Sequence, residues 1–431
     1  MEGKVFKKGL HIKYWKRCLN SLLPTEYTGN DSSRMTLGFF ILSALDLLGE
    51  SVSAFPYDQK IEIRDWILKC QHPNGGFCGS PNHRFPEEYY LDLSVDGNKS
   101  EVDPANLPAT YFAILSLGLV GDLRKIERIK CLRWLKKLQR EDGSFGELLT
   151  LEGKIWGGRD MRYCYVAAAI RWILGGDQEN FEDDINVENL VQHVLSGQLT
   201  SAKTYDGGIS ETSQHEAHAG YTYCGIATLS LLGRLPSSTG NCKYPKPGLC
   251  NFSETLRWLV SRQVGYQVVY NEKNKDEISE DIGINLQEMS LEQADIKSEI
   301  SSGKKEYVGF NGRCNKRVDT CYVFWVIGSI KLLCEEYTDL VDKLAARQFL
   351  IEQTQYKIGG FSKSPGDPPD IYHSYLGLAA LALNNEPDIK KLDPALCISI
   401  EQKNKINRLR SSLLVPKKFY WKHGYYFCEP V

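Results

Sequence analysis

The residue types best suited to metal chemistry follow a basic, glycine-containing loop. Asp319 and Cys321 come after this loop, and apolar residues at helical spacing predict a helix over 320–333. Asp319 then occupies the N-cap, and Cys321 lies in the first turn, where the helix dipole and nearby cations are expected to lower the pKa of its thiol. Plainer interpretations exist, since an Asp before a helix is more often only a cap and a buried Cys is more often a small hydrophobic residue.

A second stretch of sequence strengthens the prediction of a metal site. In residues 359–377 a Gly- and Pro-rich loop again leads into a helix start, with His373 in the first turn. Asp319, Cys321 and His373 together form an O/S/N set that suits zinc. Three protein ligands leave the fourth position open, as catalytic zinc sites require.

Composition sets wide limits on the class of protein. The chain has 431 residues, 42% of them hydrophobic, which allows a large core in one large domain or two to three smaller ones. A net charge of -2 gives no sign of a nucleic-acid partner, so any basic site must be local. The 13 cysteines form no regular framework, the N-terminus lacks the apolar region of a signal peptide, and no segment is apolar enough to span a bilayer. We expect a cytoplasmic protein with reduced thiols.

The chain carries a degenerate internal repeat, in which an apolar helix ends in Gln and a Gly-rich turn follows. Copies occupy residues 66–79, 134–147 and 194–210, and two more begin at Trp258 and Phe349. Between them lie apolar, small-residue runs at 36–48, 110–120, 161–174, 221–232, 320–333 and 373–383. Such repeats predict stacked helical pairs, because no pair can bury its apolar face alone. The fold is predicted to be all-α, an α/α barrel (toroid) of about six helical hairpins around a central apolar cavity.

We expect residues 1–431 to form a single domain of this kind. The acidic, aromatic-poor segment 271–306 interrupts a repeat, and its composition predicts a solvated, largely disordered insertion. A second peripheral stretch, 80–107, is a loop that contains Pro and Tyr.

The inner helices would all begin at one rim of the barrel and surround the mouth of the cavity. Arg162 and His218 lie at such helix starts, and Arg313 and Lys316 belong to the basic loop. Their convergence predicts an anion site of the kind a phosphate needs, although each one alone is equally well explained as a cap or a rim salt bridge. Below the rim, side chains at helical spacing would line an apolar pocket or simply form core: Phe39, Tyr165, Tyr221, Tyr223, Cys224, Phe324 and Trp325.

Five stretches between residues 34 and 383 carry a family resemblance: MTLGFFILSALDLL, DMRYCY, HEAHAGYTYCG, GRCNKRVDTCYVFW and GGFSKSPGDPPDIYHSYLG. They resemble the β subunits of protein prenyltransferases, most closely the geranylgeranyltransferase type I group. The Asp-x-Cys-Tyr motif with a distant His is highly specific. The resemblance implies an α/α barrel, one zinc ion per β subunit and an obligatory α subunit, so that the enzyme is a heterodimer.

The resemblance also implies roles for individual residues. Asp319, Cys321 and His373 match the zinc ligands, and Tyr322 and Lys363 join them as catalytic residues. The isoprenoid diphosphate would be held by His218, Arg313, Lys316, Tyr322 and Lys363. The lipid and CaaX pocket would be lined by Thr36, Phe40, Arg162, Tyr165, Tyr221, Cys224, Trp325 and Tyr372. Zinc would keep the substrate cysteine as the thiolate that attacks the prenyl diphosphate, while the cations stabilise the departing diphosphate.

Three positions bear on the choice of prenyl group. Thr36 stands where farnesyltransferases carry Trp, and the smaller residue leaves room for another isoprene unit. Lys363 replaces an Asp that helps farnesyltransferases bind magnesium, so Mg²⁺ is not expected to be required. Tyr372 departs from this pattern, because it resembles the farnesyltransferase residue rather than the Leu of type I enzymes.

The function implied is geranylgeranyl transfer from geranylgeranyl diphosphate to the cysteine of CaaX proteins, with X usually Leu, such as Rho-type small GTPases. The alternative is a farnesyltransferase β subunit, which magnesium dependence would reveal. A Rab-type geranylgeranyltransferase is disfavoured by Lys363, and a terpene cyclase by the lack of an Asp-x-Asp-Asp motif. A non-catalytic α/α-barrel binding module would not need Asp319, Cys321 and His373 as a set.

Overall fold

The structure is a computed structural model, and it describes residues 5–50, 52–83, 104–150, 153–178, 183–199, 207–213, 215–235, 248–249, 251–267, 306–413, 418–422 and 425–429. Apart from its last residue, the predicted acidic insertion at 271–306 lies outside the described residues. So does most of the peripheral loop at 80–107.

Helices make up most of the described chain. In chain order they are α1 (Lys8–Asn20), α2 (Arg34–Leu47), α3 (Tyr57–Lys69), α4 (Leu107–Val120), α5 (Arg128–Lys137), α6 (Met161–Ile173), α7 (Val187–Leu199), α8 (Ala219–Leu231), α9 (Phe252–Val260), α10 (Thr320–Leu333), α11 (Lys343–Gln348), α12 (Ile371–Leu383) and α13 (Ile400–Leu413). A π-helical turn, Phe349–Thr354, continues α11. Short 3-10 turns lie at Thr25–Tyr27, Asp31–Ser33, Val52–Ala54, Leu123–Lys125 and Glu335–Leu340.

The even-numbered helices from α2 to α12 form a closed inner ring, in which each packs on the next and α12 returns to α2. The fifth residues of four neighbouring inner helices, α4, α6, α8 and α10, are aromatic and lie side by side. The rings of Tyr111, Tyr165 and Tyr223 follow one another at 5.7 and 5.6 Å, and Phe324 lies 5.1 Å beyond Tyr223. Contacts between equivalent positions require parallel helices in register, so these four begin at one rim. The start of α12 shares this rim, since His373 Nε2 lies 3.4 Å from Asp319 Oδ1, and so does the start of α2, since the Phe40 ring lies 6.2 Å from that of Tyr372. The predicted barrel is confirmed, and the six predicted inner runs match helices within three residues at each end.

The odd-numbered helices from α1 to α11 form the outer layer, and the glutamine of four repeats joins one outer helix to the next around the ring. Its Oε1 accepts a hydrogen bond from the backbone N–H just before an outer helix: Gln71 from Glu127 at 2.9 Å, Gln139 from Asn186 at 2.7 Å, Gln263 from Asp342 at 2.8 Å and Gln355 from Lys7 at 2.9 Å. These N–H groups precede a helix and have no partner inside it. The last of these bonds links the final repeat to α1 and closes the outer ring.

The C-terminal segment closes the barrel opposite the rim. After α12 the chain forms two short strands, and α13 then packs on α4 and α6. Between the two strands, backbone carbonyls of residues 394–397 reach the inner-helix tyrosines. Tyr223 donates to the carbonyl of Pro394 at 2.7 Å, and Tyr375 donates to that of Cys397 at 2.5 Å. The apolar interior is therefore open at the end where the inner helices begin.

Small antiparallel sheets are an addition that the all-α prediction did not include. The described residues contain β1 (Leu148–Leu149) with β2 (Ile155–Trp156), β3 (Gln263–Gln267) with β4 (Glu306–Phe310), β5 (Leu392–Asp393) with β6 (Ile398–Ser399), and β7 (Lys418–Lys422) with β8 (Tyr425–Glu429). The β3–β4 pair matters for function, because β4 leads into the basic loop and then into α10.

Candidate metal centre

Asp319 and Cys321 are placed by the start of α10. Asp319 is the N-cap in extended conformation, and its Oδ1 accepts the Cys321 backbone N–H at 2.8 Å. The backbone N–H of Asp319 donates to Phe310 at the end of β4, which holds the loop against the strand. The predicted N-cap is confirmed, and both side chains are buried just inside the rim.

His373 reaches the same point from α12, the next helix of the inner ring. Its Nε2 lies 3.4 Å from Asp319 Oδ1. The potential ligand atoms of Asp319, Cys321 and His373 all lie within 4.8 Å of one another. Oxygen, sulfur and imidazole nitrogen at this spacing fit the donor set that zinc takes.

Asp370 is a further candidate site residue, and it was not identified from the sequence. It is the N-cap of α12, and its Oδ1 accepts the His373 backbone N–H at 2.8 Å. Its Oδ2 lies 2.6 Å from His373 Nδ1, so this carboxylate holds the imidazole with Nε2 facing Asp319. Metal-binding histidines commonly have such a carboxylate partner. An Asp three residues before a candidate His at a helix start is a signal that could have identified it.

Of the three candidate ligands, Cys321 has a pKa that differs from the one predicted. Burial, with the Asp319 carboxylate next to it, raises the pKa of the Cys321 thiol well above its usual range. The prediction of a lowered pKa was wrong, because these two effects outweigh the helix dipole. Burial opposes the charged forms of Asp319 and His373 as well, but their mutual hydrogen bond and further partners lower the pKa of Asp319 and raise that of His373 to about 9. Binding of a metal at this set therefore displaces protons.

The predicted anion-binding residues lie along the adjacent rim. His218 is the N-cap of α8, where its Nδ1 accepts the Gly220 N–H at 3.0 Å and its Nε2 lies 3.2 Å from Tyr322 Oη. Burial, reinforced by Arg313, lowers the pKa of His218 to about 4, so at neutral pH it offers a neutral N–H donor. Arg313 itself pairs with Glu216 at 3.2 Å.

Two lysines complete the basic rim. Lys316 is exposed in the loop before α10, three residues beyond Arg313. Lys363 is also exposed, and its backbone carbonyl accepts the Thr320 N–H at 3.1 Å, which places it beside the start of α10. The positive charge predicted from sequence is thus next to the metal centre.

The predicted pocket residues fall into two groups on the inner helices. Tyr165 and Cys224 are buried, and Tyr165 contacts the carbonyl of Ala395, which places it deep in the barrel. Tyr221, Trp325 and Thr36 are half-buried nearer the rim. Arg162 pairs with the buried N-cap Asp160 at 2.5 Å and lies 5.8 Å from the centre of the Tyr221 ring. Asp160 was not identified from sequence, and it holds Arg162 at the mouth.

Tyr372 and Phe40 form the side of the mouth next to the metal centre. Their ring centres lie 6.2 Å apart, and Tyr372 also makes an edge contact with the His373 ring at 4.9 Å. The Tyr372 side chain is 39% exposed in a region that is otherwise well buried. An aromatic surface of this kind, within one helical turn of the metal ligands, is suited to contact an apolar substrate group.

A separate cavity of about 710 Å³ lies outside the inner ring, between α1, α2 and α3. Leu19, Met35, Ile63 and Trp66 are among its lining residues. It contains none of the residues assigned to the metal, the diphosphate or the CaaX pocket, but Phe39, which the sequence suggested for the central pocket or the core, lines this outer cavity instead. Among the described residues, no helix combines the length and the apolar character needed to cross a membrane.

Comparison with known proteins supports the interpretation of this geometry. Residues 6–398 match the prenyltransferase alpha-alpha toroid domain. The chain is 31% identical to the geranylgeranyl transferase type-1 subunit beta of Arabidopsis thaliana over 91% of this chain and 88% of the relative. It is also 31% identical to the Dictyostelium discoideum subunit of the same name, over 90% of this chain and 93% of the relative. Its structure resembles Candida albicans protein geranylgeranyltransferase-I complexed with GGPP, with a TM-score of 0.68, 28% identity and coverage of 93% and 98% of the two chains.

Proposed function

The chain belongs to the prenyltransferase alpha-alpha toroid family, and we propose that it is the catalytic β subunit of a zinc-dependent protein geranylgeranyltransferase type I. The reaction transfers geranylgeranyl from its diphosphate to the cysteine thiol of CaaX proteins, such as Rho-type small GTPases. The observation that carries the proposal is the convergence of Asp319, Cys321 and His373 within 4.8 Å, beside a basic rim and an apolar interior. The proposed enzyme is cytoplasmic and works as a heterodimer with an α subunit.

The metal is held by this chain's own residues. Asp319, Cys321 and His373 supply three donors, and Asp370 keeps His373 Nε2 directed at the site. When bound, zinc supplies a Lewis acid that stabilises a substrate cysteine as thiolate at neutral pH. The protein's own Cys321 is a ligand and does not act as the nucleophile.

The rim residues act on the diphosphate. Arg313, Lys316 and Lys363 bring positive charge to one side of the metal centre, and His218 and Tyr322 add neutral hydrogen-bond donors. Charge grows on the diphosphate as the bond to carbon breaks, and preorganised donors stabilise that charge most strongly in a site shielded from water. Because Lys363 already offers an ammonium group, a magnesium ion is not needed there.

The first test is the transfer reaction itself. The chain, co-expressed with an α subunit, is given labelled farnesyl and geranylgeranyl diphosphate and a Cys-a-a-Leu peptide, with zinc present and magnesium chelated. We expect geranylgeranyl transfer to predominate without magnesium. Thr36→Trp should shift the preference toward farnesyl, and Lys363→Asp should make transfer depend on magnesium. Farnesyl transfer that requires magnesium in the unchanged protein would instead identify a farnesyltransferase, the alternative that Tyr372 favours.

The second test concerns the metal. Cys321→Ala should lose stoichiometric zinc and transfer activity while keeping the helical circular dichroism spectrum, because Ala removes the ligand but keeps a small buried side chain in the first turn of the helix. Cys164→Ala is the matched control, since Cys164 is a buried cysteine of α6 outside the site. Full zinc content in Cys321→Ala would contradict the ligand assignment, and absence of zinc from the unchanged protein would favour a non-catalytic binding module.

A further inference from the structure

Cys314 lies in the basic loop before α10 and is not one of the residues assigned to the metal or the diphosphate. Of the ten cysteines whose burial the structure describes, it alone is exposed. Its Sγ receives a hydrogen bond from Nη2 of Arg262 at 3.2 Å. An exposed thiol that contacts a guanidinium combines access for a small reagent with a cationic neighbour, and reactive cysteines are found in such partly exposed, electropositive surroundings.

Arg262 is built into the fold beneath this thiol. It follows α9, is only 4% exposed, and its guanidinium lies 4.8 Å from the centre of the Trp258 ring. Nε donates to the Trp258 carbonyl at 3.3 Å, and Nη2 also donates to Ser261 Oγ at 3.2 Å.

The other terminal nitrogen of Arg262, Nη1, is buried and has no hydrogen-bond partner in the part of the chain that the structure describes. A buried donor without an acceptor is unfavourable, because it has lost its hydrogen bonds to water and gained none in the fold. The guanidinium thus presents two terminal nitrogens near Cys314, one already on sulfur and one unpartnered. Two donor nitrogens of one guanidinium can bind a group that offers two acceptor atoms, here a sulfur and an oxygen bonded to it.

We propose that Cys314 is an oxidation site, at which hydrogen peroxide converts the thiol to a sulfenic acid that Arg262 holds. The sulfur attacks one peroxide oxygen, so that an S–O bond forms and the O–O bond breaks. Sulfur gives up two electrons, peroxide is reduced, and the departing hydroxide takes the thiol proton to become water. The new oxygen provides the acceptor that Arg262 Nη1 lacks. This site does not depend on the proposed transferase activity.

The same chain offers a contrasting thiol. Cys334, just after α10, is half-buried, and its Sγ lies 2.6 Å from Oε2 of Glu336. A carboxylate in that position opposes formation of the thiolate, and the hydrogen bond to Glu336 raises the pKa of Cys334. Cys314 and Cys334 therefore differ in the sign of the charge that contacts the sulfur, although both are accessible to a small oxidant.

The first experiment measures sulfenic acid formation at each cysteine. The zinc-loaded chain in complex with an α subunit is treated with hydrogen peroxide and a 1,3-cyclohexanedione probe, and labelled peptides are quantified by mass spectrometry. We expect labelling of Cys314 to be at least roughly tenfold faster than that of Cys334, and to disappear in Cys314→Ser. Labelling of Cys314 no faster than that of Cys334 would overturn the proposal.

The second experiment tests the part played by Arg262 without changing that buried residue. Cys314→Asp offers the guanidinium two oxygen acceptors, whereas Cys314→Asn offers one neutral oxygen. We expect the Asp variant to melt about 1–2 °C above the Asn variant. Asn315→Asp is the control for a general attraction between the basic loop and a carboxylate. Its melting temperature should rise less than the difference between the Asp and Asn variants of Cys314. An Asp variant that melts no higher than the Asn variant, or a gain matched by Asn315→Asp, would contradict a free donor at Arg262.

Discussion

At the scale of single residues, the candidate site is assembled from helix N-caps. Asp160, His218, Asp319 and Asp370 cap α6, α8, α10 and α12 in turn, and each accepts a backbone N–H with its side chain. An N-cap side chain is held by a hydrogen bond close to the helix axis. Four successive inner helices therefore present oriented polar groups at one rim, and the metal centre lies between the third and the fourth.

The carboxylate of Asp370 provides a prediction at this scale. Asp370→Asn keeps an oxygen for the cap but places an amide N–H group against the Nδ1–H of His373, which disturbs the orientation of the imidazole. We expect zinc affinity to fall by roughly tenfold to a hundredfold, measured by competition with a chromogenic chelator. Asp342→Asn, at the N-cap of α11, is the matched control and should leave zinc affinity unchanged. An unchanged affinity in Asp370→Asn would mean that this carboxylate serves only as a cap.

At the scale of elements, the Gly-rich turn in four of the five repeats packs a hairpin on an outer helix. The first glycine of the turn has positive φ, and a Cβ there would overlap the backbone of the third residue of an outer helix: Gly75 on Lys130, Gly143 on Asn189, Gly207 on Glu254 and Gly359 on Leu10. Glycine is required for two reasons, the backbone conformation and the close approach. The same glycine turn recurs because these hairpins pack on the neighbouring outer helices with the same geometry.

The two requirements can be separated by experiment. Gly143 has φ +87 and contacts the Asn189 backbone, whereas Gly153 has φ +80 and nothing within 4 Å of an added Cβ. Gly143→Ala should lower the free energy of unfolding by roughly 3 kcal/mol or more, from strain and overlap together. Gly153→Ala should cost about 1 kcal/mol, from strain alone. Chemical denaturation of both variants provides the measurement, and equal losses would show that the close approach adds nothing.

At the scale of the whole molecule, the barrel closes where α1 meets the last repeat. His11 Nε2 lies 3.0 Å from Gln355 Oε1, and its Nδ1 accepts the Gly360 N–H at 3.1 Å. The imidazole stacks between Phe6 and Phe361, at 4.7 Å from each ring centre. The contacts of His11 with Gln355, Gly360 and Phe361 join residues about 350 positions apart in sequence, so they form only when the ring is complete.

A pH dependence follows from this closure. Burial lowers the pKa of His11 to about 4, against 6.5 in the unfolded chain. Below pH 6.5 the unfolded chain takes up a proton that the folded chain does not, so stability is lost as the pH falls from about 6.5 to 4, by up to roughly 3 kcal/mol. With chelator present throughout, the melting temperature of His11→Gln should fall less over this range than that of the unchanged protein. Parallel pH profiles would show that His11 does not titrate with unfolding.

Much of this protein follows from local patterns in the sequence. The helical spacing of apolar residues and the recurring Gly-rich turns predicted six inner helices and an α/α barrel, because both patterns depend on neighbours within a few turns. Asp319, Cys321 and His373 could be selected together because two similar loops each lead into a helix start. The acidic segment at 271–306 lies outside the described residues, and its predicted disorder stays a prediction.

Other features depend on residues that are distant in sequence, and only the tertiary structure decides them. The carboxylate of Asp370 on His373, the closing contacts of His11 and the tyrosine contacts with residues 394–397 require helices to be brought together by packing. The pKa of the Cys321 thiol was mispredicted for the same reason. A helix dipole can be inferred from sequence, but burial and the direction of the Asp319 carboxylate exist only in the folded chain, and here they outweigh it.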